Sequence, residues 1–313
     1  MPAGGPASKK TFVITGGNSG LGFHCARFIG ADPNNTVVIA CRSSANGQEV
    51  LRTLKRQGCA AEFMALDLAS LESVRAFASL YAKAGLPPLT GIICNAGVQN
   101  IGAPVKTRDG FEETFGVNHL GHFLLSNLLL PEMAAGGKFI FVSSGTHDPN
   151  EKAPLPEPRY ENGEKVAAYF EPGPDAGRRR YTTSKLCNVY CTYEFARRLE
   201  SSGDPRLRSI RVLAFDPGLM PGTGLARTYP PAMQFAWNYI LPIATLFMRN
   251  AHMPAKSGKR LADLATDYEN PATAKYYSDG KEKKSSDLSY DLANAKELWE
   301  TSARMVGIRS VIP

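Results

Sequence analysis

A tyrosine and a lysine four residues apart, Tyr181 and Lys185, are the residues of this sequence best suited to move a proton. Positions i and i+4 of a helix share one face. An ammonium group beside a phenol stabilises the phenolate and is expected to lower the pKa of the tyrosine from about ten towards neutral pH. The pair is therefore predicted to act as a general acid or base, although the same spacing also occurs by chance on solvated helix faces.

Two more polar positions are candidates to join this pair. A predicted strand over 138–143 ends in Ser143-Ser144, and ligands of open α/β sheets bind at the carboxyl ends of the strands. A serine hydroxyl there is expected to face a substrate. Asn118 lies within a helix predicted over 110–130, where an amide is unfavourable by propensity, so its side chain is expected to have a specific partner.

The elements that must position these groups begin with a glycine-rich turn. Residues 12–14 form an apolar run typical of a buried parallel strand, and the turn 15–22 (TGGNSGLG) leads into a helix that opens near Gly20. Glycines let backbone N–H groups approach an anion, and the positive end of the helix dipole points at the same place. The turn predicts a pyrophosphate site, although a turn built only for packing also uses glycine.

Arg42 follows the second predicted strand, 37–41. At this position of a dinucleotide-binding sheet an acid accepts from the 2′-hydroxyl of NAD, whereas an arginine pairs with the 2′-phosphate of NADP. Arg42 therefore favours NADP(H), with an ordinary surface arginine as the alternative. Asp67-Leu68 ends the third predicted strand, 62–66, where Asp67 is also a candidate cap for a helix over 70–83.

Strands and helices alternate along the rest of the chain. Strands are predicted over 91–94, before Asn95-Ala96-Gly97, over 211–214, before Pro217-Gly218, and near 275–277, with closing helices over 255–266 and 291–306. This order predicts one domain over 1–313, an α/β fold with a doubly wound, mostly parallel sheet of about seven strands in a Rossmann-type three-layer αβα sandwich. The proline-rich stretch 145–180 is predicted to be an insertion without a long regular element.

Composition narrows the function. The 313 residues carry a net charge of +7, and the basic residues are scattered rather than arranged in the dense stripe that nucleic acid requires, so no nucleic-acid partner is predicted. Six cysteines without paired spacing indicate buried thiols in a reducing compartment, and the polar first ten residues do not resemble a secretory signal, which predicts the cytoplasm. His119 and His122 are assigned to packing or hydrogen bonding rather than metal binding, because no third ligand accompanies them.

An uncharged, aromatic-rich stretch, 228–248, lies within a substrate lid predicted over about 219–250. The lid is expected to cover a hydrophobic small molecule. Peripheral attachment of 228–248 to a bilayer surface is the competing interpretation and would make the protein membrane-associated. Prolines and polar residues argue against a membrane span, and the sequence is compatible with a homo-oligomer.

Several motifs, taken together, resemble the short-chain dehydrogenase/reductase family: TGGNSGLG (15–22), NAG (95–97), NHLGH (118–122), SS (143–144), YTTSK (181–185) and PG (217–218). The resemblance covers residues 10 to about 280 and implies an enzyme that uses NADP(H). It implies that Tyr181 exchanges the proton, that Ser144 rather than Ser143 orients the reacting oxygen, and that Lys185 holds the nicotinamide ribose. Asn118 would interrupt its helix and hold a water next to the lysine.

The resemblance also implies a set of cofactor contacts. Asp67 would hydrogen-bond the adenine amino group, Asn95-Ala96-Gly97 would support the sheet behind the cofactor, and Thr223 would bond the carboxamide or a phosphate. The predicted cofactor-binding residues are Gly16, Asn18, Ser19, Gly20, Leu21, Gly22, Arg42, Asp67, Leu68, Asn95, Ala96, Gly97, Tyr181, Lys185, Pro217, Gly218 and Thr223.

Finer features are similar to the branch that contains the light-dependent protochlorophyllide oxidoreductases and the retinol-dehydrogenase-like enzymes, among them DGFE (109–112), NHLGHFLL (118–125) and YTTSKLCN (181–188). Cys187 matches a cysteine thought to matter in the pigment enzymes. Because 145–180 departs from their pattern, the predicted reaction is hydride transfer to or from a hydrophobic carbonyl or alcohol. Light-dependent protochlorophyllide reduction and a non-catalytic NADP(H) sensor are the alternatives, and a sensor would have no need of all four predicted catalytic residues.

Overall fold

The computed structural model describes residues 9–151, 153–221, 228–241, 252–266 and 272–309. Its centre is an eight-stranded sheet in the order β3-β2-β1-β4-β5-β6-β7-β8. Neighbouring strands are parallel except β7 and β8. The strands are β1 (Lys10–Thr15), β2 (Asn35–Cys41), β3 (Ala60–Ala65), β4 (Leu89–Cys94), β5 (Met133–Val142), β6 (Arg211–Asp216), β7 (Lys275–Ser278) and β8 (Lys281–Lys283).

The doubly wound, mostly parallel sheet predicted from the sequence is confirmed, with one strand more than expected. The sequence did not reveal β8, because its three residues, Lys-Glu-Lys, are all exposed and show no apolar alternation. β8 pairs antiparallel with β7 at the edge of the sheet. Charged side chains on such an edge strand discourage pairing with another chain.

Helices cover both faces of the sheet, which explains why β1, β2, β4 and β6 are almost continuously apolar and buried. The helices are α1 (Gly20–Ile29), α2 (Ser44–Arg56), α3 (Leu71–Ala82), α4 (Glu113–Phe115), α5 (Gly121–Leu129), α6 (Gly163–Ala167), α7 (Pro174–Glu200), α8 (Pro205–Ser209), α9 (Pro231–Phe235), α10 (Pro254–Thr266) and α11 (Leu292–Met305). One apolar core lies beneath α1, α2 and α10, and the other beneath α3, α5, α7 and α11.

The order of the strands creates a crevice beside β1. From β1 the chain adds β2 and β3 on one side, and then returns to add β4, β5 and β6 on the other. The loops that leave neighbouring strands β1 and β4 therefore part in opposite directions, and ligands of such sheets bind where this happens. The glycine-rich turn follows β1, and the Asn95-Ala96-Gly97 segment follows β4.

The helix predicted over 110–130 is interrupted at Asn118. α4 ends at Phe115, a π-helical turn covers Gly116–Leu120, and α5 starts at Gly121. Such π turns are rare and occur frequently at functional sites. The amide that was unusual for a helix interior thus lies in an irregular turn, as the family resemblance implied.

The stretch 145–180 is more regular than predicted. Among its described residues, two 3₁₀ turns (Gly145–His147 and Pro149–Glu151) and the short α6 precede α7, which already begins at Pro174. The prediction that the insertion extends to residue 180 is wrong, because 174–180 form the first two turns of α7. Proline at the first helical position loses no hydrogen bond, so Pro174 starts the helix instead of preventing it.

The closing helix α11 packs over α5 and α7. The ring of Trp299 lies 4.8 Å from that of Phe123 and 5.2 Å from that of Phe195, measured between centroids. Trp299 is among the largest fully buried side chains of the described chain. α11 thereby covers the outer face of α5, which follows the turn that contains Asn118, and of α7, whose middle part carries Tyr181 and Lys185.

The buried histidines and cysteines have structural roles. His119 Nε2 hydrogen-bonds Ser302 Oγ at 2.8 Å, and His122 Nε2 hydrogen-bonds Thr15 Oγ1 at 2.8 Å, which confirms the prediction of hydrogen bonding. Within the described ranges no three potential metal ligands come together. All six cysteines are free and buried, as the sequence predicted.

The predicted lid, 219–250, is described only at 219–221 and 228–241. α9 and a π-helical turn, Ala236–Ile240, follow one another there and expose the side chains of Met233, Phe235 and Tyr239. The rest of the predicted lid lies outside the described residues. No helix in the described part of the chain has both the length and the apolar character needed to cross a bilayer.

Candidate active site

A cleft of about 350 Å³ runs along the carboxyl edge of the sheet, across the point where the strand order reverses. The predicted cofactor residues in its walls are Gly16, Asn18, Ser19, Gly20, Leu21, Arg42, Asp67, Leu68, Asn95, Ala96, Gly97, Tyr181, Lys185 and Pro217. Gly22 and Gly218 are not in the wall, and Thr223 lies outside the described residues. Loops that are far apart in the sequence thus form one elongated site, as a dinucleotide requires.

Glycine shapes the turn after β1. Gly16 and Gly20 have φ angles of 63° and 51°, a region that residues with side chains rarely adopt. A Cβ atom on Gly22 would lie 2.5 Å from the carbonyl oxygen of Gly16, so Gly22 allows α1 to pack closely on the turn. The Ser19 side chain makes no capping hydrogen bond to α1. The first-turn amides are therefore left for an anion, and the turn fits a pyrophosphate.

The segment after β4 braces this turn from behind. The backbone N–H groups of Asn95 and Ala96 both donate to Thr15 Oγ1 at 2.9 Å, and Asn95 Nδ2 donates to the Thr15 carbonyl at 2.7 Å. These bonds fix the end of β1 against the end of β4. Gly97, which follows, lines the cleft.

At the β2 end of the cleft, Arg42 is exposed and lines the wall together with Ser43 and Asn46. Ser43 Oγ accepts a hydrogen bond from the Asn46 backbone at 3.3 Å and so caps α2. Ser43 and Asn46 were not among the site residues predicted from the sequence. The signal was present, because a serine directly before a predicted helix is a usual N-cap, and a helix N-terminus attracts phosphate.

Asp67 lines the cleft and does not cap the next helix. Ser70 caps α3 instead, since its Oγ accepts from the Ser73 backbone at 3.2 Å. Asp67 Oδ1 accepts from the Ala69 backbone at 3.1 Å, and its Oδ2 lies 3.9 Å from a guanidinium nitrogen of Arg108. The capping alternative for Asp67 is wrong, and its carboxylate remains part of the wall.

Tyr181 and Lys185 lie on one face of α7 at the other end of the cleft. Lys185 Nζ is 5.4 Å from the centroid of the Tyr181 ring and donates to the carbonyl of Val142, the last residue of β5, at 3.0 Å. Ser144 lies close enough to Tyr181 to favour the phenolate and so to lower the pKa of the phenol. A phenol, an ammonium and a hydroxyl from two elements thus converge at one place.

Burial changes the acid–base properties of the pair. It raises the pKa of Tyr181, an effect that Ser144 partly opposes, and it lowers the pKa of Lys185 to about 8. The expectation that Lys185 lowers the pKa of Tyr181 is wrong for the protein alone. The loss of water around the phenol dominates, while the ammonium is directed at the Val142 carbonyl.

The two serines after β5 have different hydrogen-bond partners. Ser143 is buried, and its Oγ donates to the backbone carbonyl of Lys185 at 2.9 Å, which ties β5 to α7. Ser144 Oγ accepts from the backbone and the hydroxyl of Thr146, at 3.3 and 3.1 Å, and also contacts Tyr181. Ser143 is in the wall of the cleft and Ser144 is not, so the choice of Ser144 as the serine that orients the reacting oxygen depends on its effect on Tyr181 and stays a prediction.

The side chain of Asn118 is fully buried and engaged by its neighbours. Its Oδ1 accepts from the Val98 backbone at 2.8 Å, and its Nδ2 donates to the Val98 carbonyl and to Ser184 Oγ, both at 3.0 Å. Asn118 therefore fixes the segment after β4 to α7 next to Lys185. Its role in holding a water stays a prediction.

Cys187 does not belong to the cleft. It is completely buried on the far side of α7, and burial raises the pKa of its thiol. The thiol is thus kept protonated and away from the walls of the cleft. The match of Cys187 to a cysteine of the pigment enzymes therefore brings no reactive group into this site.

The sequence is similar to known proteins over almost its whole length. A family model described as short chain dehydrogenase matches residues 10–153. The protochlorophyllide reductase A, chloroplastic, of Arabidopsis thaliana is 31% identical over 323 residues, which cover 96% of this chain and 77% of that protein. The chain belongs to the short-chain dehydrogenase/reductase family.

Within the short-chain dehydrogenase/reductase family, this similarity places the chain in the protochlorophyllide-reductase-like branch. An uncharacterized protein of Mycobacterium paratuberculosis has a similar structure, with a TM-score of 0.72, 28% identity, and coverage of 97% of this chain and 96% of that one. A landomycin C-6 ketoreductase with bound NADP and rabelomycin shares the fold, with a TM-score of 0.62 and 22% identity over 88% of this chain and 96% of its own. The protein is accordingly an NAD(P)-dependent oxidoreductase.

Proposed function

We propose that the protein transfers hydride between NADP(H) and the carbonyl or alcohol carbon of a hydrophobic small molecule. The observation that carries this proposal is the proximity of Tyr181 and Lys185 in the wall of a cleft that fits a dinucleotide, with Ser144 close enough to Tyr181 to act on its phenol. These groups can orient an oxygen and exchange a proton with it, which is what carbonyl reduction and alcohol oxidation demand. The nicotinamide, when bound, supplies or accepts the hydride.

The far end of the cleft supports NADP(H) over NAD(H). Arg42 stands where a 2′-phosphate would lie, and Ser43 and Asn46 open α2 beside it. A guanidinium and a helix N-terminus both favour a doubly charged phosphate over a hydroxyl. Asp67 lies after β3, one strand further, and remains available for the adenine amino group.

Tyr181 is the group proposed to exchange the proton. Its raised pKa keeps the phenol protonated in the protein alone, which suits a general acid that protonates a carbonyl oxygen during reduction. Ser144 donates to the same oxygen and fixes its position. Lys185 holds the nicotinamide ribose and, when turned towards the phenol, favours the phenolate that the proton leaves behind. Asn118 holds the adjoining segments in place.

A hydrophobic substrate is supported by the residues above this end of the cleft. Thr228 Oγ1 donates to the Gln99 carbonyl at 3.0 Å, and the Tyr229 hydroxyl donates to Gln99 Oε1 at 3.2 Å. These bonds tie the start of the aromatic-rich stretch to the segment after β4. The described part of the lid, 228–241, contains no charged residue, so it offers an apolar cover.

A direct test is to follow NADPH oxidation with a panel of hydrophobic aldehydes, ketones and quinones. Tyr181→Phe is expected to lower kcat by roughly 10²–10⁴-fold, the usual contribution of a general acid, without weakening NADPH binding. Tyr169→Phe, which removes a hydroxyl remote from the cleft, is the matched control and should leave turnover unchanged. Near wild-type turnover by Tyr181→Phe would refute the proposed role.

Light-dependent reduction of protochlorophyllide is the second candidate, and the similarity to the Arabidopsis thaliana enzyme favours it. Illumination of the protein with NADPH and protochlorophyllide would then shift the pigment absorption to that of chlorophyllide, and a dark control would not. Binding of NADPH without turnover of any carbonyl, quinone or pigment would instead support the NADP(H) sensor.

We place the protein in the cytoplasm, where six free thiols persist, and treat attachment of 228–248 to a bilayer as the competing interpretation. Flotation with liposomes separates the two. Because α11 covers the outer face of α5 and α7, any homo-oligomer is expected to use another surface, which light scattering and cross-linking would examine.

A further inference from the structure

Asp216, the last residue of β6, is a buried carboxylate that the sequence analysis did not include in the site. Its side chain accepts hydrogen bonds from Ser278 Oγ at 2.9 Å and from the Gly218 backbone at 3.0 Å. The carboxylate also contributes to raising the pKa of the nearby Tyr276. A buried carboxylate needs such donors, because it has exchanged water for protein.

The carboxylate of Asp216 lies between two loops at the end of the cleft that contains Tyr181 and Lys185. The Gly218 bond fixes the turn after β6, whose Pro217 lines the cleft. On the other side, a Cβ atom on Gly145 would lie 3.4 Å from Asp216 Oδ2, so the carboxylate lies against the residue that directly follows Ser144.

A negative charge nearby would stabilise the cationic form of Lys185. Lys185 is 97% removed from solvent, and the partner that it bonds, the Val142 carbonyl, is neutral. A buried ammonium without an opposite charge tends to lose its proton. Val142, whose carbonyl holds Lys185 Nζ, is paired across the sheet with Phe215, the residue directly before Asp216. Among the described residues, Asp216 is therefore placed near the ammonium and favours its charged form.

Other titratable groups surround Asp216 and Lys185 on several elements. The 3₁₀ turns after β5 contribute His147, Asp148 and Glu151, and β7 contributes Tyr276. α7 contributes Tyr181, α5 contributes His122, the lid contributes Tyr229, and His252 precedes α10. Burial lowers the pKa of His122, His147 and His252, so these groups are neutral at pH 7 and cannot replace a carboxylate as the partner of an ammonium.

We propose that Asp216 is a positioning residue of the reaction: the buried countercharge that keeps Lys185 cationic and the brace that joins the Pro217–Gly218 turn to the Ser144 loop. The proposal rests on the proposed function, because Lys185 matters as a cation only if it serves the nicotinamide ribose and Tyr181. It assigns no contact between Asp216 and the substrate.

The negative charge of Asp216 sets the direction in which the pKa of Lys185 should change when that charge is removed. Burial lowers the pKa of Lys185 to about 8, and Asp216 opposes that lowering. Removal of the charge in Asp216→Asn should therefore lower the pKa of Lys185 by about one further unit, the size of a Coulomb interaction across several ångströms of protein. Asn keeps the shape of the side chain and one acceptor oxygen.

The experiment follows the titration of Lys185 in the full-length protein labelled with ¹⁵N-lysine, by NMR of the Nζ resonances, with Lys185→Met identifying the signal. Asp216→Asn is expected to titrate about one pH unit lower than the unchanged protein. Asp148→Asn removes a carboxylate from the neighbouring loop and should leave the midpoint in place. Ser278→Ala deletes a hydrogen bond to Asp216 but keeps its charge, so the midpoint should also remain.

An unchanged midpoint in Asp216→Asn would overturn the proposal, as would an equal shift in Asp148→Asn. The unchanged protein provides a second check that needs no variant, because the proposal requires Lys185 to be mostly cationic at pH 7. A neutral Lys185 at that pH would overturn it even if Asp216→Asn does not fold. None of these readouts depends on turnover, so they are separate from a failure of the proposed function.

Discussion

Lys185 Nζ and the backbone carbonyl of Val142 form a hydrogen bond of 3.0 Å that joins the middle of α7 to the end of β5. Asn188 Nδ2, one turn later, donates to the same carbonyl at 3.1 Å. The ammonium is therefore held by the sheet rather than by the phenol of Tyr181. Because an ammonium has three N–H donors, a bound nicotinamide ribose could accept from Lys185 while the bond to Val142 persists.

This arrangement predicts the basic side of the pH–rate profile. The pKa of Lys185 is lowered to about 8 by burial, and the cationic form is the one proposed to act. Since kcat/KM reports the ionisation of the free enzyme, it should fall tenfold per pH unit above about pH 8 for a good substrate. NADPH oxidation from pH 6 to pH 10 tests this. A profile that stays level to pH 10 would contradict it.

Arg42→Ala should change cofactor preference. A hydrogen-bonded charge contributes about 1.5–3 kcal/mol, so the KM for NADPH is expected to rise by about 10- to 150-fold. The KM for NADH, which has no 2′-phosphate, should change little. Arg52→Ala, which removes an exposed arginine within α2, is the matched control. Equal losses for both cofactors would show that Arg42 does not recognise the phosphate.

Gly22→Ala should weaken dinucleotide binding although Gly22 does not line the cleft. The added methyl group would lie 2.5 Å from the Gly16 carbonyl and 2.6 Å from Asn95 Nδ2, so α1 must move away from the turn. Overpacking of this kind costs about 1–3 kcal/mol, and part of it should appear as weaker NADPH binding by fluorescence titration. Gly203→Ala is the control, because a Cβ atom added to Gly203 would have no neighbour within 4 Å. This variant should bind NADPH normally.

Much of the fold could be predicted because burial on both faces leaves continuous apolar runs in the parallel strands. The strands predicted at 12–14 and 37–41 lie within β1 and β2. Residues 281–283 could not be recognised as a strand, because β8 is an exposed edge stabilised by pairing with β7 rather than by apolar burial. Likewise Pro174 looked like a helix breaker, whereas its position as the first residue of α7 makes it a helix starter.

Much of the candidate site could be predicted wherever a residue follows a strand or repeats at helical spacing. The acidity of Tyr181 could not, because it depends on how much water is removed and on where Lys185 points, which only the packed structure determines. Asp216 was overlooked for a similar reason. The side-chain donor to its carboxylate, Ser278, lies 62 residues away in the sequence, one residue beyond the strand predicted near 275–277.

The buried histidines predict a loss of stability in acid. The pKa of His119 is lowered to about 3 by burial, against an ordinary value of 6.5, so the unfolded chain binds a proton that the folded chain refuses. The free energy of unfolding should therefore fall as the pH drops below 6.5, by about 2 kcal/mol for His119 at pH 5. Urea titrations at pH 7 and pH 5 measure this difference. His119→Gln should reduce it by that amount, and an unchanged difference would contradict the assignment.

Trp299→Ala should destabilise the protein more than any change on the exposed face of α11. Trp299 is buried between Phe123 of α5 and Phe195 of α7, so its removal leaves a large cavity and is expected to cost about 3–5 kcal/mol. Glu300→Ala, one residue further on the exposed face, should change stability by less than about 0.5 kcal/mol. Since α7 also carries Tyr181 and Lys185, any folded Trp299→Ala protein should lose activity on warming before it unfolds globally. Comparable unfolding midpoints for the two variants would show that the packing of α11 contributes little to the stability of the protein.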